Sequence, residues 1–290
     1  MSYKFLSAGL RPTAEHAKKY FKATLGISTF RVEEQVSPEI AYVPTLIAAD
    51  KDHYFICIEV SESAWPQNNQ LDAFVLDCKN TCLPVKLYVV TPKGAVDSEF
   101  QKKMQRAKKN GVGVLEVDQA GGNLYTGALP LSLTGLIPFN PLEFPAKFRS
   151  AIHKAEETFC NGNPNKGCSA LYDEIELLTR KLAIKTKKKG YWNTPAPGTK
   201  PSKLNLAKGA WAKIIELFID NINLGVCKCP DLDHPLLHRV AGITPHRNDS
   251  GHKPKTQKKL RTRDQQLRTR FESARDLFKD LIDATKPLHL

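Results

Sequence analysis

Residues 246–255 read His-Arg-Asn-Asp-Ser-Gly-His-Lys-Pro-Lys and place Arg247, Asn248 and His252 within six positions. A histidine that titrates near neutrality can take a proton from a ribose 2′-hydroxyl or give one to a leaving 5′-oxygen. A guanidinium can hold a phosphate through two parallel hydrogen bonds as negative charge builds on it. An asparagine beside the arginine can orient either partner by hydrogen bonding. On one straight helix a spacing of five would set Arg247 and His252 about 140° apart. Asn248, Asp249, Ser250 and Gly251 are turn formers, bracketed by Pro245 and Pro254, and they give the backbone freedom to bring the two together. His246 is a third imidazole nearby, and a solvated turn is its simpler role.

Other residues with chemical potential are scattered more widely. Lys187, Lys188 and Lys189 close one basic run, next to Tyr191 and Trp192, and Lys253, Lys255 and Arg261 belong to another. Such runs are often only solvated, but cations mixed with aromatics suit phosphate contacts and base stacking on single-stranded RNA. Cys227, Cys229, His234 and His238 form a ligand set that zinc accepts. The Cys-x-Cys gap is short for zinc and Pro235 would disturb a helix, so a loop with buried thiols is the expectation, with no metal and no cofactor assigned. Cys78 and Cys82 share a helix face and read as core. In the first half, Glu59 alternates with Phe55, Cys57 and Ser61 along one strand face.

Composition frames these candidates. The chain has 290 residues and a formal charge of +13. Residues 1–150 carry 17 Lys/Arg against 15 Asp/Glu, and residues 151–290 carry 26 against 15. That asymmetry favours a polyanionic partner for the second half. No apolar run reaches the roughly 18 residues of a membrane span. Met1–Gly9 lacks the basic flank and apolar core of a secretory signal, and seven scattered cysteines suit reduced thiols, so a cytoplasmic location is expected.

The elements that would position these groups follow from periodicity. Residues 12–25 predict a helix capped by Thr13. Strand character follows in EIAYVPTLIAAD, HYFICIEV, VKLYVVTP and VGVLEVD, with helices at 71–82 and at 97–110, the latter capped by Asp97 or Ser98 and ended by Gly111. Residues 120–145, rich in Gly and Pro, predict an extended connection. Beyond them, apolar stripes at Leu171, Ile175, Leu178 and Leu182, at Trp211, Ile214, Ile215 and Phe218, and at Phe271, Ala274, Phe278 and Leu281 predict helices. The expected fold is an α/β domain with a mixed sheet over residues 1–145, then an all-helical bundle over residues 146–290.

The Arg247-Asn248…His252 pattern within a helical, basic half resembles the HEPN family of ribonucleases, over roughly residues 150–290. In that family an arginine, a polar residue and a histidine four to six positions beyond the arginine recur in a helical domain. The resemblance implies metal-independent RNA cleavage by 2′-hydroxyl transesterification, with Arg247, Asn248 and His252 catalytic and a homodimer joining two motifs at one cleft. It also implies a role in prokaryotic toxin or antiviral defence systems. Residues 35–120 resemble the restriction-endonuclease-like, or PD-(D/E)XK, fold. Here, however, Thr45 stands where that family has an aspartate and Ser61 where it has a lysine. Glu59 alone matches, and one carboxylate holds Mg²⁺ poorly. This half is therefore expected to bind a regulatory ligand, a partner or nucleic acid without cutting. The rival readings are a non-catalytic nucleic-acid- or partner-binding protein, and a metal-dependent DNA nuclease run by the first half.

Overall fold

The computed structural model describes residues 3–66, 69–94, 98–193, 204–248 and 254–289, the side chains of 247 and 248 excepted. The chain forms two compact units: Met1–Leu136 with Cys160–Gly162 and His252–Arg268, and Ile137–Phe159 with Asn163–Gly251 and Thr269–Leu290. The first is an α/β layer and the second is helical, in line with the expected classes.

In the first unit, α1 (Arg11–Leu25) precedes the strands β1 (Arg31–Val32), β2 (Leu46–Ala49) and β3 (Phe55–Val60). Then α2 (Asn69–Asn80), β4 (Val85–Pro92), α3 (Phe100–Asn110), β5 (Gly113–Asp118) and β6 (Gly121–Thr126) follow. The six strands pair in chain order as one mixed sheet. β1–β2, β2–β3 and β5–β6 are antiparallel, whereas β3–β4 and β4–β5 are parallel. Parallel neighbours need crossovers, and α2 and α3 supply them. Two right-handed crossovers that advance in the same direction fall on the same face. Accordingly Leu71, Phe74, Val75 and Cys78 of α2 and Phe100 and Ala107 of α3 share one buried cluster with Ile47, Cys57, Leu87 and Val89. Ala14, Ala17 and Phe21 of α1 cover the opposite face over Leu46, Ile56, Ile58 and Val90. β3 and β4 are buried on both faces, which is why their sequences are apolar runs without clean alternation.

Several local expectations need correction. Thr13 is buried inside α1, which starts at Arg11 without a side-chain cap. Glu99, not Ser98, precedes α3, and it too makes no side-chain cap; Asp97 lies outside the described residues. Gly111 does end α3, in a left-handed conformation (φ 77°) that glycine adopts without steric cost. The connection expected over 120–145 contains β6, because β5 offers an open edge that outweighs the weak strand propensity of Gly121 and Gly122.

The second unit is built from α4 (Ala146–Cys160), α5 (Pro164–Lys188), α6 (Trp211–Asn221), α7 (His234–Ile243) and the later part of α8 (Gln257–Thr285). The expected stripes on α5, α6 and α8 are all buried. Phe159 meets Phe271 at 4.9 Å and Phe148 meets Phe278 at 5.2 Å between ring centroids. A Cβ at Gly167 would lie 2.7 Å from the Phe159 Cβ, so the glycine lets α5 approach α4 closely. Pro235 does not disturb a helix; it occupies the first turn of α7, where a missing N–H costs nothing, and Asp233 caps that helix through the Leu236 amide at 2.7 Å. Among the described residues no helix is long and apolar enough to cross a membrane.

Candidate functional site

In the second unit, a 3-10 turn over Thr244–Asn248 continues directly from α7 and packs against α5. It carries the backbone of Arg247 and Asn248, so these two residues prolong a helical run and do not open a free turn. Asp249, Ser250, Gly251, His252 and Lys253 lie outside the described residues. His246 is half-buried on the same turn.

Lys187 and Lys188 form the last turn of α5 and Lys189 is its C-cap, all three exposed. Cations at a helix C-terminus face its partial negative charge, which offsets part of their mutual repulsion. Gly190 (φ 76°) ends the helix, and the Tyr191 amide closes back on the Thr186 carbonyl at 3.0 Å. Trp192 is already occupied. Its ring stacks on Phe218 at 5.7 Å, its Nε1 donates to the Thr186 hydroxyl at 2.9 Å, and the Lys187 ammonium lies 5.4 Å from its centroid. Tyr191 is half-buried beside it. Lys255 is exposed ahead of α8. Arg261, on α8, belongs to the first unit, where its guanidinium donates to the Thr81 carbonyl at 2.8 Å and to Glu39 at 3.1 Å.

Cys227 and Cys229 sit in the loop between α6 and α7. Cys229 is buried, and burial together with its neighbour Cys227 pushes its thiol up to about 12. His234 and His238 stand one turn apart on α7, with ring centroids 6.5 Å apart. No group of three or more His, Cys, Asp or Glu side chains gathers closely enough to hold a metal among the described residues.

In the first unit, Thr45 directly precedes β2, Glu59 lies on β3 and Ser61 directly follows it. The register pairs Leu46 with Ile58, which sets Thr45 across from Glu59. The Thr45 hydroxyl accepts from the Val60 amide at 3.1 Å. Burial raises the Glu59 carboxyl to about 7, against the opposing pull of Tyr42 and Thr45 beside it. Tyr42, which sequence reasoning passed over, is pushed up by burial and by that carboxyl; its hydroxyl makes no well-formed hydrogen bond, although it faces Glu59. Its ring stacks on Phe74 at 4.6 Å. Ser61 serves the backbone: its amide donates to the Val90 carbonyl at 3.0 Å and its hydroxyl accepts from the Ser63 amide at 3.2 Å. One carboxyl among hydroxyls does not fit Mg²⁺, which demands several oxygen ligands in octahedral array.

The other acids near this strand pair are structural. Asp50 caps the β2–β3 turn by accepting from the amides of Asp52 and Tyr54, both at 2.9 Å, and pairs with Lys86 at 2.7 Å. Tyr54 then donates to Asp264, a fully buried carboxylate on α8, at 3.2 Å, and Ser132 donates to the same oxygen at 2.6 Å. Arg263 donates to the other Asp264 oxygen at 2.9 Å, and no sequence signal marks the Ser132 and Tyr54 partners, which lie 132 and 210 positions from Asp264.

Comparison with family models, curated proteins and solved structures finds no match for this chain.

Proposed function

We propose that the chain is a metal-independent endoribonuclease acting through Arg247, Asn248 and His252. The observation that carries this reading is the Arg-Asn…His spacing along the sequence, in the basic second half, with the backbone of Arg247 and Asn248 closing a helical run of the second unit. Lys187, Lys188 and Lys189 on the exposed end of α5, with Lys253 and Lys255, would attract the phosphate backbone. In the reaction, a base takes the 2′-hydroxyl proton as that oxygen attacks phosphorus. The P–O5′ bond breaks, and the leaving oxygen takes a proton from the conjugate acid. His252 is the group for one of these transfers, Arg247 neutralises the charge building on phosphorus, and Asn248 orients one of the two. A homodimer would bring two histidines to one cleft and divide the acid and base roles between them. Growth arrest by RNA cleavage, in a prokaryotic toxin or defence setting in the cytoplasm, is the biological role this reading suggests.

The first unit we read as a restriction-endonuclease-like scaffold that regulates or binds without cutting. Its element order, α1-β1-β2-β3-α2-β4 in a mixed sheet, supports that likeness, and the hydroxyl surroundings of Glu59 argue against Mg²⁺ chemistry there. Incubation of purified protein with total RNA in EDTA, followed by end-group analysis, tests the proposal. Products with 2′,3′-cyclic phosphate and 5′-hydroxyl ends, lost in Arg247→Ala and His252→Ala, are expected. Undiminished cleavage in both variants would remove the site. Binding without cleavage would favour a nucleic-acid- or partner-binding protein, and cleavage that needs Mg²⁺ and is lost in Glu59→Ala would move the chemistry to the first unit.

A further inference from the structure

The two edges of the sheet are treated very differently. β1 is two residues long and flanked by charge: Arg31 pairs with Glu34 at 3.2 Å, and Glu33 gathers the amides of Lys4, Phe5 and Leu6, the latter two at 2.8 Å. Short length, charge and cover are the usual ways of closing a sheet edge to further pairing. β6 is neither short nor charged; it is guarded only by a bulge at Tyr125, by Tyr20 of α1 over Gly122 and by Phe100 of α3, whose ring lies 5.0 Å from that of Tyr125. It is six residues long, Gly-Gly-Asn-Leu-Tyr-Thr, and lies exposed along almost its whole length. It belongs to a 24-residue stretch, Gln119–Leu142, without one Asp, Glu, Lys or Arg, in a chain where a quarter of residues are charged. Leu124 is 45% exposed and Tyr125 36%. Among the described residues, Gly122–Thr126 make no main-chain hydrogen bond outside the β5 ladder. The charges on the neighbouring β5 are already engaged. Glu116 accepts from the Gly94 amide and the Tyr125 hydroxyl, and Asp118 pairs with Lys93 at 2.8 Å.

We infer that β6 is a self-association edge, on which a second copy of this chain pairs antiparallel about a two-fold axis to continue the sheet through both protomers. The absence of charge singles out a second copy. Two chains of formal charge +13 repel each other, so they meet most favourably through a surface that carries no charge of its own. The edge of β6 supplies main-chain donors and acceptors in the spacing that an identical strand needs. Leu124 of each strand then gains an apolar cross-strand neighbour. Because β1 is closed, the pairing stops at two copies and does not run on into a fibre. This interface lies in the first unit and does not depend on the ribonuclease reading.

The test uses the full chain. Sedimentation velocity across a concentration series should show a monomer–dimer equilibrium. Hydrogen exchange read along the same series should show the amides of 121–126 slowing as dimer forms. Asn123→Lys and Leu124→Lys, each placing a cation on the exposed edge, should weaken dimerisation by about tenfold or more while leaving the circular dichroism spectrum intact. A wild-type chain that is monomeric throughout, or a dimer whose formation leaves exchange at 121–126 unchanged, overturns the inference. So does a dimer indifferent to both substitutions. The wild-type exchange measurement decides the matter even if either variant fails to fold.

Discussion

The two parts of α8 weight polar and apolar contacts differently. From Gln257 to Arg268 the helix belongs to the first unit, and a set of directed polar contacts is added there to the buried Leu260 and Leu267. Asp264 receives Tyr54 and Ser132, Arg261 reaches Thr81 and Glu39, and Arg268 donates to the Lys79 carbonyl and the Gly135 carbonyl. From Thr269 onward it belongs to the second unit, and Phe271, Ala274, Phe278 and Leu281 are all buried against helix partners. Apolar burial needs only the right period and volume. A buried carboxylate needs each donor in place, since an unmatched member costs about 1–3 kcal/mol. The first part is thus the more specific of the two, and the second is held more by bulk.

Truncation should separate the two modes. Phe278→Ala leaves a cavity against Phe148 and should cost about 4 kcal/mol, with hydrogen exchange accelerating in α4 and the later part of α8; a loss confined to the β2–β3 hairpin would contradict the apolar assignment. Asp264→Ala strands the Tyr54 and Ser132 hydroxyls and should cost about 3 kcal/mol. Its accelerated exchange should centre on Tyr54 and the turn before it, and Asp264→Asn should recover part of the loss.

Glu59 extends the contrast to a polar group that burial penalises. In the unfolded chain it ionises near its ordinary value of 4.5, whereas the fold keeps it protonated up to about 7. Stability is therefore unaffected below pH 4.5, declines as pH rises from about 4.5 to about 7, and levels off above. The loss is about 3–4 kcal/mol, since each pH unit in that window costs about 1.4 kcal/mol. Glu59→Gln should flatten that decline in urea denaturation and be the more stable protein at alkaline pH. Equal pH profiles for the two proteins would show the carboxyl to be well solvated. The smallest effect belongs to the surface. Arg239 and Asp280 pair at 2.7 Å, but both are about half exposed, so Arg239→Ala should change stability by less than about 0.5 kcal/mol.

Legibility in the sequence followed the same division. The stripes on α5, α6 and the later part of α8 were readable because a 3.6-residue period is a local property. Opposition of Thr45 to Glu59 was not read from the sequence and follows from the β2–β3 register. β6 was missed because its six residues carry two glycines and little strand propensity, and only the free edge of β5 makes a strand of them. Tyr42 beside Glu59 was missed for want of any motif. Trp192 looked available for stacking on a base, but its packing on Phe218 emerges only when α5 and α6 meet.

The amino-acid sequence by itself determined the two classes of layer, the basic character of the second half and the residue types gathered at 246–255. Those depend on periodicity, composition and near neighbours along the chain. Tertiary structure alone decided that α8 is shared between two units, that Asp264 lies buried beneath Tyr54 and Ser132, and that one sheet edge is more heavily guarded than the other. Each of these depends on partners separated by long stretches of chain, and no local preference specifies which distant donor a buried acceptor will meet.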